Sequence, residues 1–488
     1  MIIQEGFYDF GMVRSVVVSE IRNHRGHRGS QGIAGNLFTA NGGERTQGRS
    51  RCIVTDHSRY NFRMKLCKAV GVLLAILQLI PAFASAQQKP AAPPDPKSVT
   101  VPAAIDHNRV LIDVDIPASG GAGATQRVRA WVDNGNPDLE MSRHLASLLG
   151  LTISCNDRGC SSPSPQAIVI GGMTISLADV KQATLPPKTV GETVMDSGFN
   201  AELNIPSSVL RRYDVLVDFP GHKLSIGAPG TIHFLGSSGK VLVNAENGLI
   251  QIPSKIENKK HNLALDLGAS IGFLSPELFD PLSAAHADWP HMTGAVGPAN
   301  MWGGDDETLS KVMRMDRVQY GPLFLTDVAM VDMPKDRMEY FAKRASVETV
   351  GLLGANVFLN YRVGLDYAHS MVYFDIGRTY ISTDFTVVGL TLRPEDDGQF
   401  TILGTVDFNG EPSVAQGAEG VQHGDHLVAV DGIPVHGSTM GQVWSMLRGM
   451  PGQERRLTVE RGRKTFGVTA NVREFLRVSE DDGGKKKR

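Results

Sequence analysis

Cysteine is scarce, with four residues in 488. No second Cys or His pair stands at ligand spacing beside Cys155 and Cys160, which argues against a zinc site. Charge of one sign is lacking too. Lys and Arg number 49 against 51 Asp and Glu, a net charge of −2, so no global field steers the molecule to nucleic acid or to an anionic membrane. No basic–aromatic pattern suited to nucleic acid is present, and neither G-x-S-x-G nor H-E-x-x-H occurs. Long helical periodicities are few, whereas glycine (53) and proline (26) are frequent. Short strands and many turns follow, hence a mainly β protein. With 41% hydrophobic and 20% charged residues, the chain is long enough for two to four globular units with cores of their own.

Residues 64–86 read MKLCKAVGVLLAILQLIPAFASA. Lys65 and Lys68 form a basic start, 69–80 an apolar run, and Ala84-Ser85-Ala86 a small-residue cleavage site, the layout of a secretory signal peptide. The apolar run is well short of the ~20 residues that span a bilayer, so cleavage before Gln87 is expected, with no stable membrane span afterwards. Cys67 precedes the apolar run, unlike a lipoprotein signal. An export signal opens a protein, so translation is expected to start at Met64. Residues 1–63, which are Arg/Gly/Asn-rich and aperiodic, then read as an upstream artefact or a disordered stretch. The mature chain is expected in the periplasm or outside the cell. In that oxidising setting Cys155 and Cys160 read as a local disulfide, the alternative being two free thiols in a surface loop.

Residues 87–100, rich in Pro, Ala, Gln and Lys, read as a linker. Beyond it the chain repeats itself. Residues 209–219 (VLRRYDVLVDF) and 357–367 (VFLNYRVGLDY) share the pattern V-[LF]-x-x-Y-x-V-x-[VL]-D-[FY]. Upstream of each copy an alternating strand runs into Asp-x-Gly: Asp133-Asn134-Gly135 after Val128, Ala130 and Val132, and Asp266-Leu267-Gly268 after Leu263 and Leu265. Two homologous, mainly β lobes are expected, at about 100–232 and 238–383. A third unit, 385–475, holds a turn, a strand and a tight turn at Asp431-Gly432, then a short helix near 440–447 and a strand pair. Residues 476–488 read as a solvated charged tail.

The run GVQHGDHLVAVDG at 420–432 resembles the signature of bacterial PDZ domains, which are small α+β units. That resemblance implies that Gly389-Leu390-Thr391-Leu392 offers main-chain groups to a peptide C-terminus, which adds as a strand to the sheet edge. The implied partner is a substrate tail, another envelope protein or a segment of the chain itself. A unit that only packs against the lobes is the alternative.

The two Asp-x-Gly loops resemble those of pepsin-like and retropepsin-like aspartic proteases. In the second lobe Asp266-Leu267-Gly268-Ala269-Ser270 resembles the catalytic loop, and Gly351-Leu352-Leu353-Gly354 the segment that threads beneath it. Gly354 suits that close approach. In the first lobe Asp133 and Gly135 are kept, but Pro206 stands where the repeat would place a second Gly354. The resemblance implies two β-barrel lobes, a catalytic pair of Asp133 and Asp266, and hydrolysis of polypeptide by activated water with no cofactor or metal. A threonine hydroxyl after each aspartate commonly holds such pairs coplanar; Asn134 and Leu267 stand there instead. Asn134 can still hydrogen-bond, and Leu267 cannot. Three outcomes are open: an intramolecular dyad, a homodimer in which each chain contributes Asp266, and an inactive homologue acting as a peptide-binding scaffold. No tyrosine is assigned to a covering flap. Gly120-Gly121-Ala122-Gly123 reads as a hairpin turn, and His286, Asp288 and His291 as exposed loop residues.

Overall fold

A computed structural model describes residues 95–117, 125–157, 159–186, 201–377 and 385–477. Residues 1–63, the expected export signal at 64–86, most of the expected linker, the expected turn at 120–123 and nearly all of the expected tail lie outside the described residues. The described chain is mainly β.

The duplicated sequence is visible as a sheet that pairs with itself. Strand Asp214–Asp218 runs antiparallel to Tyr361–Asp366, with Leu216 opposite Gly364. Those two residues hold the same place in the two repeat copies, so a local twofold axis passes between them. Ser98–Pro102 and Lys223–Gly227 extend this sheet on one side, Met371–Ile376 and Ser237–Lys240 on the other, giving six strands drawn from both halves.

Each half then carries its own sheet above this base. In the first, the order is Leu203–Pro206, Gln126–Asp133, Arg109–Ile116, Ala167–Ile170, Met173–Ser176. In the second, Ile250–Ile256, Lys259–Leu265, Gly351–Leu353, Gly272–Leu274, Leu323–Asp332 and Lys311–Tyr320 follow one another, and the last returns to pair with the first. That return closes the sheet into a barrel.

The two strands that deliver the aspartates are alike in burial. Gln126–Asp133 and Lys259–Leu265 both start partly exposed and end with their last residues fully inside. Strict alternation is lost there because both faces are covered. Each is also flanked by a parallel strand from later in its own half: Leu203–Pro206 beside Gln126–Asp133, and Gly351–Leu353 beside Lys259–Leu265. Parallel neighbours need long crossovers, and here the crossover holds most of each half.

Pro206 does not break this plan. It pairs in register with Asp133, and Ser207 N–H donates to Asn136 O at 2.9 Å. The matching bond in the second half runs from Ala355 N–H to Ala269 O at 2.8 Å. The second half needs a glycine because a β-carbon on Gly354 would overlap the Ile271 carbonyl.

The C-terminal unit is built on a six-stranded sheet in the order Leu390–Pro394, Phe400–Thr405, His426–Val430, Glu454–Arg461, Lys464–Asn471, with Ile433–Pro434 also paired to His426–Val430, and carries the helix Met440–Leu447. Thr439 caps that helix and Gln442 completes a capping box, a pattern of local start signals. The turn Asp431-Gly432 has φ of 52° and 80°, a hairpin conformation that Asp-Gly adopts readily. Asp425 is buried and takes two bonds of 2.7 Å from Arg461.

Among the described residues the buried apolar side chains form two clusters, and neither follows the sequence boundaries. One joins the first half to the base sheet and part of the barrel. The other joins the rest of the barrel, including Phe273, Ala295, Val296 and Met301, to the core of 385–477. The C-terminal unit therefore shares its core with the second half.

Candidate active site

Asp133 and Asp266 end equivalent strands from opposite halves and meet at the floor of one cleft, 2% and 5% exposed respectively. The glycines two residues on explain why the approach is possible. A β-carbon on Gly135 would overlap the Asp266 carboxylate, and one on Gly268 would lie 2.5 Å from Asp133 Oδ1. Each carboxylate thus occupies the space a side chain would fill on the opposing loop.

Asn134 fastens the two loops together. Its Nδ2 donates to Leu265 O at 2.6 Å, and its Oδ1 accepts from Leu267 N–H at 2.8 Å. One buried amide does what a hydroxyl does in a symmetric pair, from one side only. The Leu267 side chain is buried in the core, so the residue contributes its backbone N–H alone.

The two carboxylates have different surroundings. Asp266 Oδ1 accepts the backbone N–H groups of Gly268 (2.8 Å) and Ala269 (3.0 Å). Among the described residues, Asp133 Oδ2 accepts from the side-chain amide of Asn204, at 3.3 Å. Burial pushes Asp266 up to about 6 despite its two donors. Burial, then the charge of Asp266, holds Asp133 well above the usual carboxylate range. Two close carboxylates share one proton more cheaply than they ionise together. Asp266, with the better donors, is the member of the pair better suited to hold a negative charge.

Arg109, only 1% exposed, stands beside this pair. Its Nη2 donates to Met301 O at 3.1 Å, and its guanidinium lies 5.6 Å from the centre of the Trp131 ring. Burial lowers it to about 10, which leaves it cationic at neutral pH. Its field favours ionisation of both aspartates. Glu140, at the cleft wall, is pushed up to about 7 by burial, against a hydrogen bond from Asn136 that favours its charged form.

The cleft measures about 540 Å³, within the range of small-molecule and side-chain pockets. Trp131, Met301, Trp302 and Phe341 give it apolar walls. Helix Lys335–Ala342 lies at its mouth. From this helix Tyr340 donates to Asn136 Oδ1 (3.3 Å) and Asp138 Oδ2 (3.4 Å) of the first half, while the Arg337 guanidinium sits 3.9 Å from the Trp302 ring centre.

Of the residues singled out in the sequence, Asp133, Gly135, Asp266 and Gly268 line this cleft. Ala269, Ser270 and Gly354 lie behind it as supports. Ser270 is fully buried; its hydroxyl donates to Pro298 O at 2.8 Å, and its carbonyl accepts from Asn108 at 2.9 Å. Gly389, Leu390, Thr391 and Leu392 lie in the C-terminal unit, away from the cleft, with Leu390, Thr391 and Leu392 buried. Cys155 and Cys160 form a disulfide, their Cα atoms 4.0 Å apart. His286 stacks on Trp289 and bonds Glu257, and among the described residues no three His, Cys, Asp or Glu gather to hold a metal.

Sequence reasoning missed Arg109, Asn204, Tyr340 and the buried Glu307. Asn204 left a trace, as a lone amide in the apolar run Leu203-Asn204-Ile205. Arg109 left none, since an arginine at a strand start reads as solvent-facing. No protein-family model matches the chain, and no curated protein matches it either.

Proposed function

We propose that the chain is an aspartic-type endopeptidase in which Asp133 and Asp266 of one molecule form the catalytic pair. The observation that carries this reading is the reciprocal fit of each carboxylate over the other loop's glycine, at the floor of an open cleft. With both partners supplied in cis, Asp266 needs no second chain to face it.

Asp266, anionic, takes a proton from a water as its oxygen attacks the scissile carbonyl carbon. Asp133, protonated, gives its proton to the carbonyl oxygen, and a neutral diol results. In the collapse Asp133 takes a proton back from a diol hydroxyl while Asp266 passes its own to the departing nitrogen. The C–N bond breaks and both carboxyls return to their starting states. The Arg109 charge favours the singly ionised pair over the doubly protonated one, against the larger effect of burial. The aromatic walls favour apolar side chains flanking the bond, and an extended polypeptide suits a cleft between two halves. Export through the signal at 64–86 belongs to this reading, placing the substrate among envelope or extracellular polypeptides.

The test is cleavage of an unfolded, disulfide-free polypeptide between pH 3 and 7 by the mature chain, Asp133→Asn and Asp266→Asn. Cleavage by the wild type alone is expected. Cleavage that survives either substitution contradicts the mechanism, and none in all three proteins leaves the cleft as a binding groove.

A further inference from the structure

An edge strand presents unpaired N–H and C=O groups that invite an added strand. In the C-terminal sheet that edge is Leu390–Pro394, and it is already taken. Leu392 N–H donates to Asn300 Oδ1 at 2.9 Å, and Asn300 Nδ2 donates to Leu392 O at 3.0 Å. One buried side-chain amide thus satisfies both groups, as a paired strand would. The Thr391 hydroxyl adds a bond to Ala295 O at 2.9 Å. Gly303, at φ 71°, packs on Arg393 and Pro394 so closely that a β-carbon would meet Pro394 Cδ at 2.8 Å.

The apolar space beside the edge is filled by the same segment. Ala295, Val296, Ala299 and Met301 share a core with Leu390, Leu392, Met440, Val443 and Leu447. Nor is the segment a loose loop. The buried carboxylate of Glu307 accepts five N–H bonds, from Asn300 Nδ2 and the backbone of Met301, Trp302, Gly303 and Gly304, at 2.6–3.0 Å.

From here the contacts run to the aspartate loops. The Ser270 hydroxyl donates to Pro298 O, and Arg109 donates to Met301 O. Four consecutive residues at one hairpin tip tie the parts together. Asp106 accepts from the Thr439 hydroxyl and from Gly441 N–H (3.1 Å) at the start of helix Met440–Leu447. His107 Nε2 bonds Gly297 O at 2.9 Å, Asn108 donates to Ser270 O, and Arg109 reaches Met301 O.

We propose that residues 295–304 are the permanent ligand of the Leu390–Pro394 edge, and that the C-terminal unit is a brace holding the paired aspartate loops from behind. A tethered ligand competes at an effective concentration of mM or more, so a free peptide of ordinary micromolar affinity does not displace it. The activity side of this proposal rests on the endopeptidase reading; the brace itself does not.

Hydrogen exchange on the full mature chain tests it, comparing wild type with Asn300→Ala and Asp106→Asn, and with Lys464→Ala at the exposed start of strand Lys464–Asn471 as control. Asn300→Ala is expected to speed exchange about tenfold or more at 390–394, 295–304 and 266–270 together, Asp106→Asn at 106–109 and 266–270, and Lys464→Ala at none of these. Should Asn300→Ala fail to fold, Thr391→Val removes only the bond to Ala295 and carries the same test. A change confined to 390–394 overturns the brace. So does micromolar capture by the wild-type chain, at this edge, of peptides from a random C-terminal heptapeptide library. Exchange reads the brace whether or not the pair hydrolyses anything. Absent cleavage with coupled exchange sinks the chemistry alone, and intact cleavage with unchanged exchange at 266–270 sinks the brace alone.

Discussion

Replacing Asn134 with alanine strips the junction of its one cross-loop side chain. Two backbone groups lose their partner, the Leu267 N–H and the Leu265 carbonyl, both inside the protein. An orphaned buried group costs about 1–3 kcal/mol, so Asn134→Ala is expected to destabilise by about 2–6 kcal/mol. That is a large share of the roughly 5–15 kcal/mol that holds a typical domain. Asn134→Thr places a hydroxyl that donates to one group and accepts from the other, and it is expected to recover more than half of the loss. Urea denaturation at pH 5, followed by tryptophan fluorescence, measures both. Cleavage should fall in parallel, because a shift of the Leu267 backbone moves Asp266, and a misplacement near 1 Å costs about 10²-fold in rate. An alanine variant within about 0.5 kcal/mol of wild type, with full cleavage, would refute the view that this amide holds the two loops in place.

Three further outcomes follow from the site. Burial raises Asp266 from 3.8 to about 6, so between those values the folded state binds more protons than the unfolded, and stability falls as pH rises through that window. Asp266→Asn should therefore be stabilised above pH 6.5, by up to about 3 kcal/mol, and gain nothing at pH 3.5, as read from denaturation midpoints at the two pH values. Gly354→Ala drives a β-carbon into the Ile271 carbonyl and should cost about 3 kcal/mol or more by the same assay, whereas Pro206→Ala at the matching position should cost about 1 kcal/mol or less. Tyr340→Phe removes two half-exposed bonds across the cleft mouth; a several-fold rise in KM with kcat within twofold is expected from steady-state cleavage kinetics.

Much of this arrangement was legible in the chain. The duplicated pattern at 209–219 and 357–367 forecast two like halves, and the structure pairs those segments around Leu216 and Gly364. Asp133 and Asp266 announced themselves through Asp-x-Gly after an apolar strand, a local signature. So did the Asp431-Gly432 turn and the helix Met440–Leu447, each fixed by residues next to it. What stayed hidden depends on contacts between distant segments. Nothing near Arg109 says that its charge is buried beside two aspartates more than twenty residues away. Asn300 and Glu307 read as ordinary loop residues until the strand Leu390–Pro394 is laid against them. The doubt raised by Pro206 concerned sterics that only the opposing loop decides: Gly354 faces a backbone carbonyl, while Pro206 lies in a strand beside Asp133 with its ring accommodated.

That Asp133 and Asp266 work as one acid–base unit is tested most directly by titrating their carboxyl carbons, labelled with ¹³C, in the wild type and in each Asp→Asn variant. Two coupled steps are expected, the upper one well above the usual aspartate range, with Asp133 titrating at lower pH once Asp266→Asn removes the neighbouring charge. Two independent titrations near 3.8, each unmoved by loss of the other carboxylate, would contradict the account.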